Sequence, residues 1–213
     1  MIIYHGSKYK IDHPTYKGSK EDNDYGPAFY LTKDLESAHE WACRNNTVGY
    51  INKYKLDTSS LKILDLTDKS KYSVLNWIAI LLHYRILSSS FVNAFKVRLD
   101  YLEEHYFINP YDYDVVIGNR ADDAYFRFPL DFVRGNITLE QLEASFNLGE
   151  LGIQYVLMSE KAISNLNHID SYLSNPAYVD KYYERVESAS SQYDALPKDE
   201  DGTRIFDIIK GNK

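Results

Sequence analysis

Apolar and polar positions alternate, cluster and repeat along the chain in a way that predicts short strands mixed with helices. Ile2-Ile3-Tyr4 reads as a buried strand that runs into the polar stretch His5-Gly6-Ser7. Residues 8–25 carry the Gly, Pro and Asp signals of a polar loop. Ala28–Leu31 reads as a second strand, and Thr32-Lys33-Asp34 then opens a helix marked by Leu35, Ala38, Trp41 and Ala42. Val48–Leu56 and Leu61–Leu66 read as strands. Lys71–Phe107 carries two helical patterns divided near Ser88-Ser89-Ser90. Asp114–Gly118 predicts a buried strand, Leu130–Phe132 a weaker one, and Gly152–Met158 another. Thr138 with Gln141 three residues on is a capping box, so Thr138–Phe146 reads as helix. Ser159–Ile169 reads as helix, and Asn175-Pro176 opens another through Glu187. The remaining tail is polar as far as an apolar patch at Arg204–Ile209.

Short strands and segregated helices predict an α+β protein. The length of 213 residues suits one domain with a C-terminal extension. A net charge of −7 argues against broad, sequence-independent nucleic-acid binding, which needs a basic surface. One cysteine, Cys43, excludes an internal disulfide framework and a cysteine-based zinc cluster. No apolar run is long enough to span a bilayer and no signal-peptide pattern opens the chain, so the expected setting is cytoplasmic, with no membrane partner. The six histidines show no HExxH-like spacing, and neither a GxxxxGK[ST] nor a GxGxxG loop is present, so no metal site or phosphate loop is predicted. Lys8, Lys10, Lys17 and Lys20 make the loop after His5 locally basic. That basic loop suits a phosphate-bearing ligand, or is simply solvated.

Three ordered stretches carry more. They are "YHGS" at Tyr4–Ser7, "GPAFYLTKDLESAHEWA" at Gly26–Ala42 and "GIQYVLMSEKAISNL" at Gly152–Leu166. Together, in this order, they resemble the ADP-ribosyltransferase superfamily, in its histidine–tyrosine–glutamate class, which includes diphtheria toxin and the poly(ADP-ribose) polymerases. "YDVVIGNRADD" at Tyr113–Asp123 also resembles an uncharacterised bacterial, toxin-like branch of it.

The resemblance implies a split, mostly antiparallel β-sheet core with flanking helices. It implies a domain over residues 1–170 with a helical insertion at 71–107, and a C-terminal helical extension and polar tail at 171–213. The implied activity is mono-ADP-ribosyl transfer from the co-substrate NAD to a macromolecular target, with nicotinamide released. NAD hydrolysis and non-catalytic NAD, ADP-ribose or partner binding are the alternatives. A neutralising antitoxin protein is an implied partner.

The implied NAD-binding residues are His5, Gly6, Ser7, Tyr30 and Trp41. His5 would bond the adenosine ribose, and Gly6 would let the backbone approach the nicotinamide amide. Tyr30 would stack on the nicotinamide ring, with Trp41 as a second aromatic wall. Taken alone, His5-Gly6 reads more simply as a strand-end histidine followed by a turn glycine, and Tyr30 and Trp41 as core aromatics; the downstream motifs reverse that reading. The chain departs from the pattern at one place: Gln154 stands where the superfamily has its catalytic glutamate. Glutamine accepts a hydrogen bond but brings no charge. The carboxylate would then come from Asp122 or Asp123, or from Glu160 in another register, or be absent from a weak relative.

Overall fold

A computed structural model describes residues 1–44, 47–121, 125–146, 148 and 152–211. Strand β1 (Ile2–Ser7) pairs antiparallel with β3 (Tyr50–Leu56), which pairs antiparallel with β7 (Leu166–Leu173). The other sheet has the order β2 (Phe29–Leu31), β6 (Ile153–Leu157), β5 (Val115–Asn119), β4 (Ile63–Asp65). Among the described strands only β4 and β5 run parallel. The sheets meet at a seam where Tyr4 and Thr32 exchange backbone hydrogen bonds of 2.8 and 2.9 Å. The protein is thus α+β, with two mostly antiparallel sheets and flanking helices.

Residue alternation on the strands divides the core. Tyr155 and Leu157 of β6 and Val115 of β5 face Ile3, Leu31, Tyr54 and Leu56 between the sheets. Val156 and Val116 lie on the opposite face, in the larger helical core. Helix α2 (Val74–Tyr84) fills that core with Leu75, Trp77, Ile78 and the run Ala79 to Leu82. It therefore forms a central layer of the protein. Its partner α3 (Ser89–Tyr106) buries only Phe91 and Leu102 among its own residues, and is the more peripheral of the pair. The sequence pattern places this helix break correctly, with Ser88 capping α3.

Three expectations need correcting. First, β1 does not stop at Tyr4: His5, Gly6 and Ser7 are strand residues opposite Asn52, Ile51 and Tyr50. Second, Leu130–Phe132 is not a strand but part of α4 (Arg127–Arg134). Phe128 and Phe132, one helical turn apart, both reach the core, and Pro129 sits in the first turn, where its missing N–H is not needed. Third, the helix begun at Ser159 lasts only through α6 (Glu160–Ser164), and residues 166–173 form β7. The expected domain boundary at 170 thus falls inside a strand.

The C-terminal segment shares the core. Between α4 and that segment, α5 (Leu139–Ser145) carries the expected capping box at Thr138. Helix α7 (Tyr178–Asp194) runs past the expected end at Glu187 and lies along α1 (Leu35–Ala42). Arg185 binds Glu40 at 2.8 Å. Ala189 and Tyr193 of α7, with Ile205 and Ile208 of α8 (Ile205–Ile209), join the large core cluster. Among the described residues, no helix is long and apolar enough to cross a membrane.

Candidate active site

Residues far apart in sequence converge on a cavity of about 260 Å³. Strand β1 brings His5 and Gly6, β2 brings Tyr30, and β6 brings Gln154. The last turn of α1 brings Trp41, followed by Arg44. Asp24 comes from the loop before β2, Arg85 from the end of α2, and Arg120 from the end of β5. An adjoining cavity of about 300 Å³ shares His5, Ser19 and Tyr30 with the first and adds Ser7, His13 and Phe29.

His5 is fixed by its partner. Nδ1 lies 2.6 Å from the Tyr30 carbonyl oxygen, which only accepts, so Nδ1 carries the hydrogen and donates. Burial holds the ring's pKa below its ordinary value, against the pull of that backbone bond. A neutral ring with its proton on Nδ1 leaves Nε2 as an acceptor, suited to a hydroxyl donor.

Gly6 has a structural reason that the sequence did not reveal. A Cβ there would lie 2.1 Å from the Ala38 carbonyl oxygen and 2.6 Å from the Ala42 nitrogen. Helix α1 therefore rests on the strand at this glycine, with Ala38, Ala42 and Ile51 packed around the contact. The close approach pulls Trp41 toward the cavity, since the same Cβ would lie 2.8 Å from the Trp41 Cβ.

Tyr30 uses its hydroxyl on the loop that carries Asp24. It donates to the Gly26 carbonyl at 2.6 Å and accepts from the Tyr25 N–H at 3.1 Å. Its ring is left to line both cavities. The Trp41 indole Nε1 is buried and has no hydrogen-bond partner among the described residues. Arg120 lies over the Trp41 ring, 5.0 Å from its centroid.

Gln154 is buried and points at a carboxylate. Its Nε2 donates to Asp24 Oδ2 at 2.8 Å, and the same oxygen accepts the Ala121 N–H at 2.8 Å. Arg85 Nη1 stands 3.6 Å from Asp24 Oδ1. Burial pushes Asp24 up to about 6, opposed by these hydrogen bonds and by Arg85 and Arg120. Asp24 is therefore ionised at neutral pH, at a desolvation cost. Among the described residues of the cavity lining, Arg44, Arg85 and Arg120 bring three guanidiniums and Asp24 one carboxylate.

The expected site residues are thus only partly brought together. His5, Gly6, Tyr30, Trp41 and Gln154 share the first cavity, and Ser7 lines the adjoining one. Glu160 is exposed at the start of α6, beyond the opposite end of β6 from Gln154. Asp122 and Asp123 lie outside the described residues. Lys8, Lys10, Lys17 and Lys20 are all exposed and do not line the cavity, whose cations are arginines. Sequence reasoning missed Asp24, Arg44, Arg85 and Arg120. The signal for Asp24 was weak: one Asp in "EDNDYG", two residues before a glycine that leads into a strand. Among the described residues, no group of three or more His, Cys, Asp or Glu is placed to hold a metal ion.

Comparison with curated proteins and with solved structures returns no match. Residues 1–168 match the profile of a family described as protein of unknown function (DUF3990), a span that takes in β1 through the first part of β7 and every residue of the cavity lining. The chain belongs to the DUF3990 family.

Proposed function

We propose that this protein is an NAD-dependent mono-ADP-ribosyltransferase with the split-sheet fold of that superfamily, acting on a macromolecular acceptor. One observation carries the proposal: His5, Tyr30, Trp41 and Gln154, selected by motif resemblance from positions scattered over some 150 residues, line a single cavity. The cavity's charge supports it, because NAD carries a pyrophosphate that suits three arginines. The adjoining cavity supports it too, since a dinucleotide has two lobes and His5, Ser19 and Tyr30 stand between the spaces.

In this proposal Tyr30 and Trp41 flank the nicotinamide ring, and His5 Nε2 accepts from a ribose hydroxyl. Gln154 Oε1 accepts from the hydroxyl of the nicotinamide ribose. The C1′–N bond breaks with both electrons leaving on nicotinamide, which becomes neutral. The positive charge passes to C1′ and the ring oxygen. The acceptor's lone pair then bonds to C1′, and its proton leaves to water. Holding the reactants in line is the largest contribution expected of such a site, because the leaving group is already cationic.

The test is incubation of the purified protein with adenine-labelled NAD and a cell lysate. Label on a macromolecule with an equal yield of nicotinamide supports transfer. Free ADP-ribose alone would make the protein an NAD hydrolase. NAD binding without nicotinamide release would make it a binding module.

A further inference from the structure

Resting on that proposed activity, we infer that Asp24 supplies, through Gln154, the negative charge that a glutamate would place directly at this position. Asp24 is the one carboxylate among the described residues of the cavity lining. It is 6% exposed, and it meets Gln154 across 2.8 Å although the two are 130 residues apart in sequence.

The chemistry of the pair fixes its orientation. A carboxylate only accepts hydrogen bonds, so the Gln154 amide must turn its NH2 toward Asp24. The amide oxygen is then the free end. A charged acceptor behind the NH2 polarises the amide and makes that oxygen a stronger acceptor, an effect enhanced where water is excluded. The charge a glutamate would hold is thereby set back by one hydrogen bond. Among the described residues, the groups around the pair are His5 from β1, Tyr25 from the loop before β2, Tyr30 in β2, Arg44 after α1, Arg85 after α2 and Arg120 after β5. None of these is an anion at neutral pH, so among the described residues none duplicates Asp24. Keeping a carboxylate buried and ionised where an uncharged side chain would cost less is what a functional charge requires.

Asp24 also ties its loop to Ala121, so a positioning role must be separated from a purely structural one. D24N does this. One carbonyl oxygen at the Oδ2 position can still accept from both Gln154 and Ala121, while the new NH2 takes the Oδ1 position facing Arg85, so the charge is removed together with the ion pair to Arg85. The second variant, D24N/Q154E, moves the charge onto the other partner.

The experiment is steady-state nicotinamide release from NAD by wild type and both variants at pH 7.5, with thermal melts as folding controls. D24N should lose about 100-fold in kcat, the scale for removing one electrostatic contact to a reacting centre. Its KM for NAD should stay within about threefold, because the lost interaction acts in the transition state. D24N/Q154E should regain at least about a tenth of wild-type kcat, which restored packing alone would not achieve. A folded D24N with near-wild-type kcat, or with a change in KM alone, overturns the inference while leaving the proposed activity standing. So does a folded D24N/Q154E that stays as slow as D24N. If D24N alone fails to fold, the double variant decides: activity supports the inference and inactivity overturns it. If neither folds, Asp24 is structural and the inference is wrong. A wild-type protein that releases no nicotinamide overturns the proposed activity, and the inference with it.

Discussion

The Nδ1 of His5 lies 2.6 Å from the carbonyl oxygen of Tyr30, so one imidazole joins the two sheets at their seam. Its neighbours Tyr4 and Thr32 make the backbone bridge at the same place. The bond therefore orients the ring toward the cavity and contributes to the seam.

Two outcomes follow for His5. In His5→Ala the protein should remain folded, because the Tyr4–Thr32 bridge persists, and NAD affinity should fall about tenfold for the loss of one good hydrogen bond. Isothermal titration checks this, and an unchanged affinity would remove His5 from the site. The second outcome is a pH effect. The folded pKa lies below 6.5, so the unfolded chain binds more protons on the acid side. This contribution to stability is neutral above pH 6.5 and is lost as the pH falls below it. His5→Asn should therefore lose less stability than wild type on acidification in urea titrations.

Asp24 has the opposite sign. Its folded value of about 6 is above the ordinary 3.8, so the folded state holds the extra proton between those values. Stability falls as the pH rises through this window, and the ionised carboxylate is destabilising above it. The shift corresponds to roughly 3 kcal/mol at most. D24N should thus be more stable than wild type at pH 7.5 by up to about 3 kcal/mol, with the gap closing toward pH 4. A less stable D24N at neutral pH would mean that the carboxylate is a net structural contributor.

Gly6→Ala should damage folding before it touches ligand binding. The new methyl would meet the backbone of Ala38 and Ala42 at 2.1 and 2.6 Å, and backbone cannot step aside as a flexible side chain can. Helix α1 would have to lift from β1, at a cost of about 3 kcal/mol or more. The expected observation is a large drop in melting temperature. A stable Gly6→Ala protein with weakened NAD binding would instead favour the ligand-approach role expected from the sequence.

The elements legible in the sequence are those whose burial is one-sided or complete. The α2–α3 division at Ser88 and the Thr138 capping box could be read because caps and apolar periodicity agree there. Strand β7 was hidden because it is an edge strand whose residues are mostly exposed or half-buried on both faces, so Leu166 to Leu173 shows no clean alternation. Helix α4 was hidden by its length: in eight residues with Pro129 in the first turn, Phe128, Phe132 and Val133 mark the helical face over only two turns. In the cavity, residues embedded in the ordered motifs could be found, and Asp24, Arg44, Arg85 and Arg120 could not. Their role comes from convergence in space. Arg85 reads in sequence only as the charged end of an apolar helix, and its approach to Asp24 depends on how α2 crosses the sheet.

Tyr30 allows its two contributions to be separated. Its ring lines the cavity, while its hydroxyl bonds the Tyr25 N–H and the Gly26 carbonyl in the turn that contains Asp24. Tyr30→Phe keeps the aromatic face and removes the hydroxyl. The Tyr25 N–H and the Gly26 carbonyl then lose their shared partner, which costs about 1–2 kcal/mol if water cannot replace it. The expected result is a lower melting temperature with NAD affinity within about threefold of wild type, since stacking is retained. Tyr30→Ala loses both, and affinity should fall by a further 1 kcal/mol or so, about fivefold, for the missing aromatic contact. Parallel melts and NAD titrations on the two variants distinguish the contributions. If Tyr30→Phe weakened NAD binding as much as Tyr30→Ala, the hydroxyl and the loop it holds would be the NAD determinant, and the stacking role assigned to the ring would be wrong.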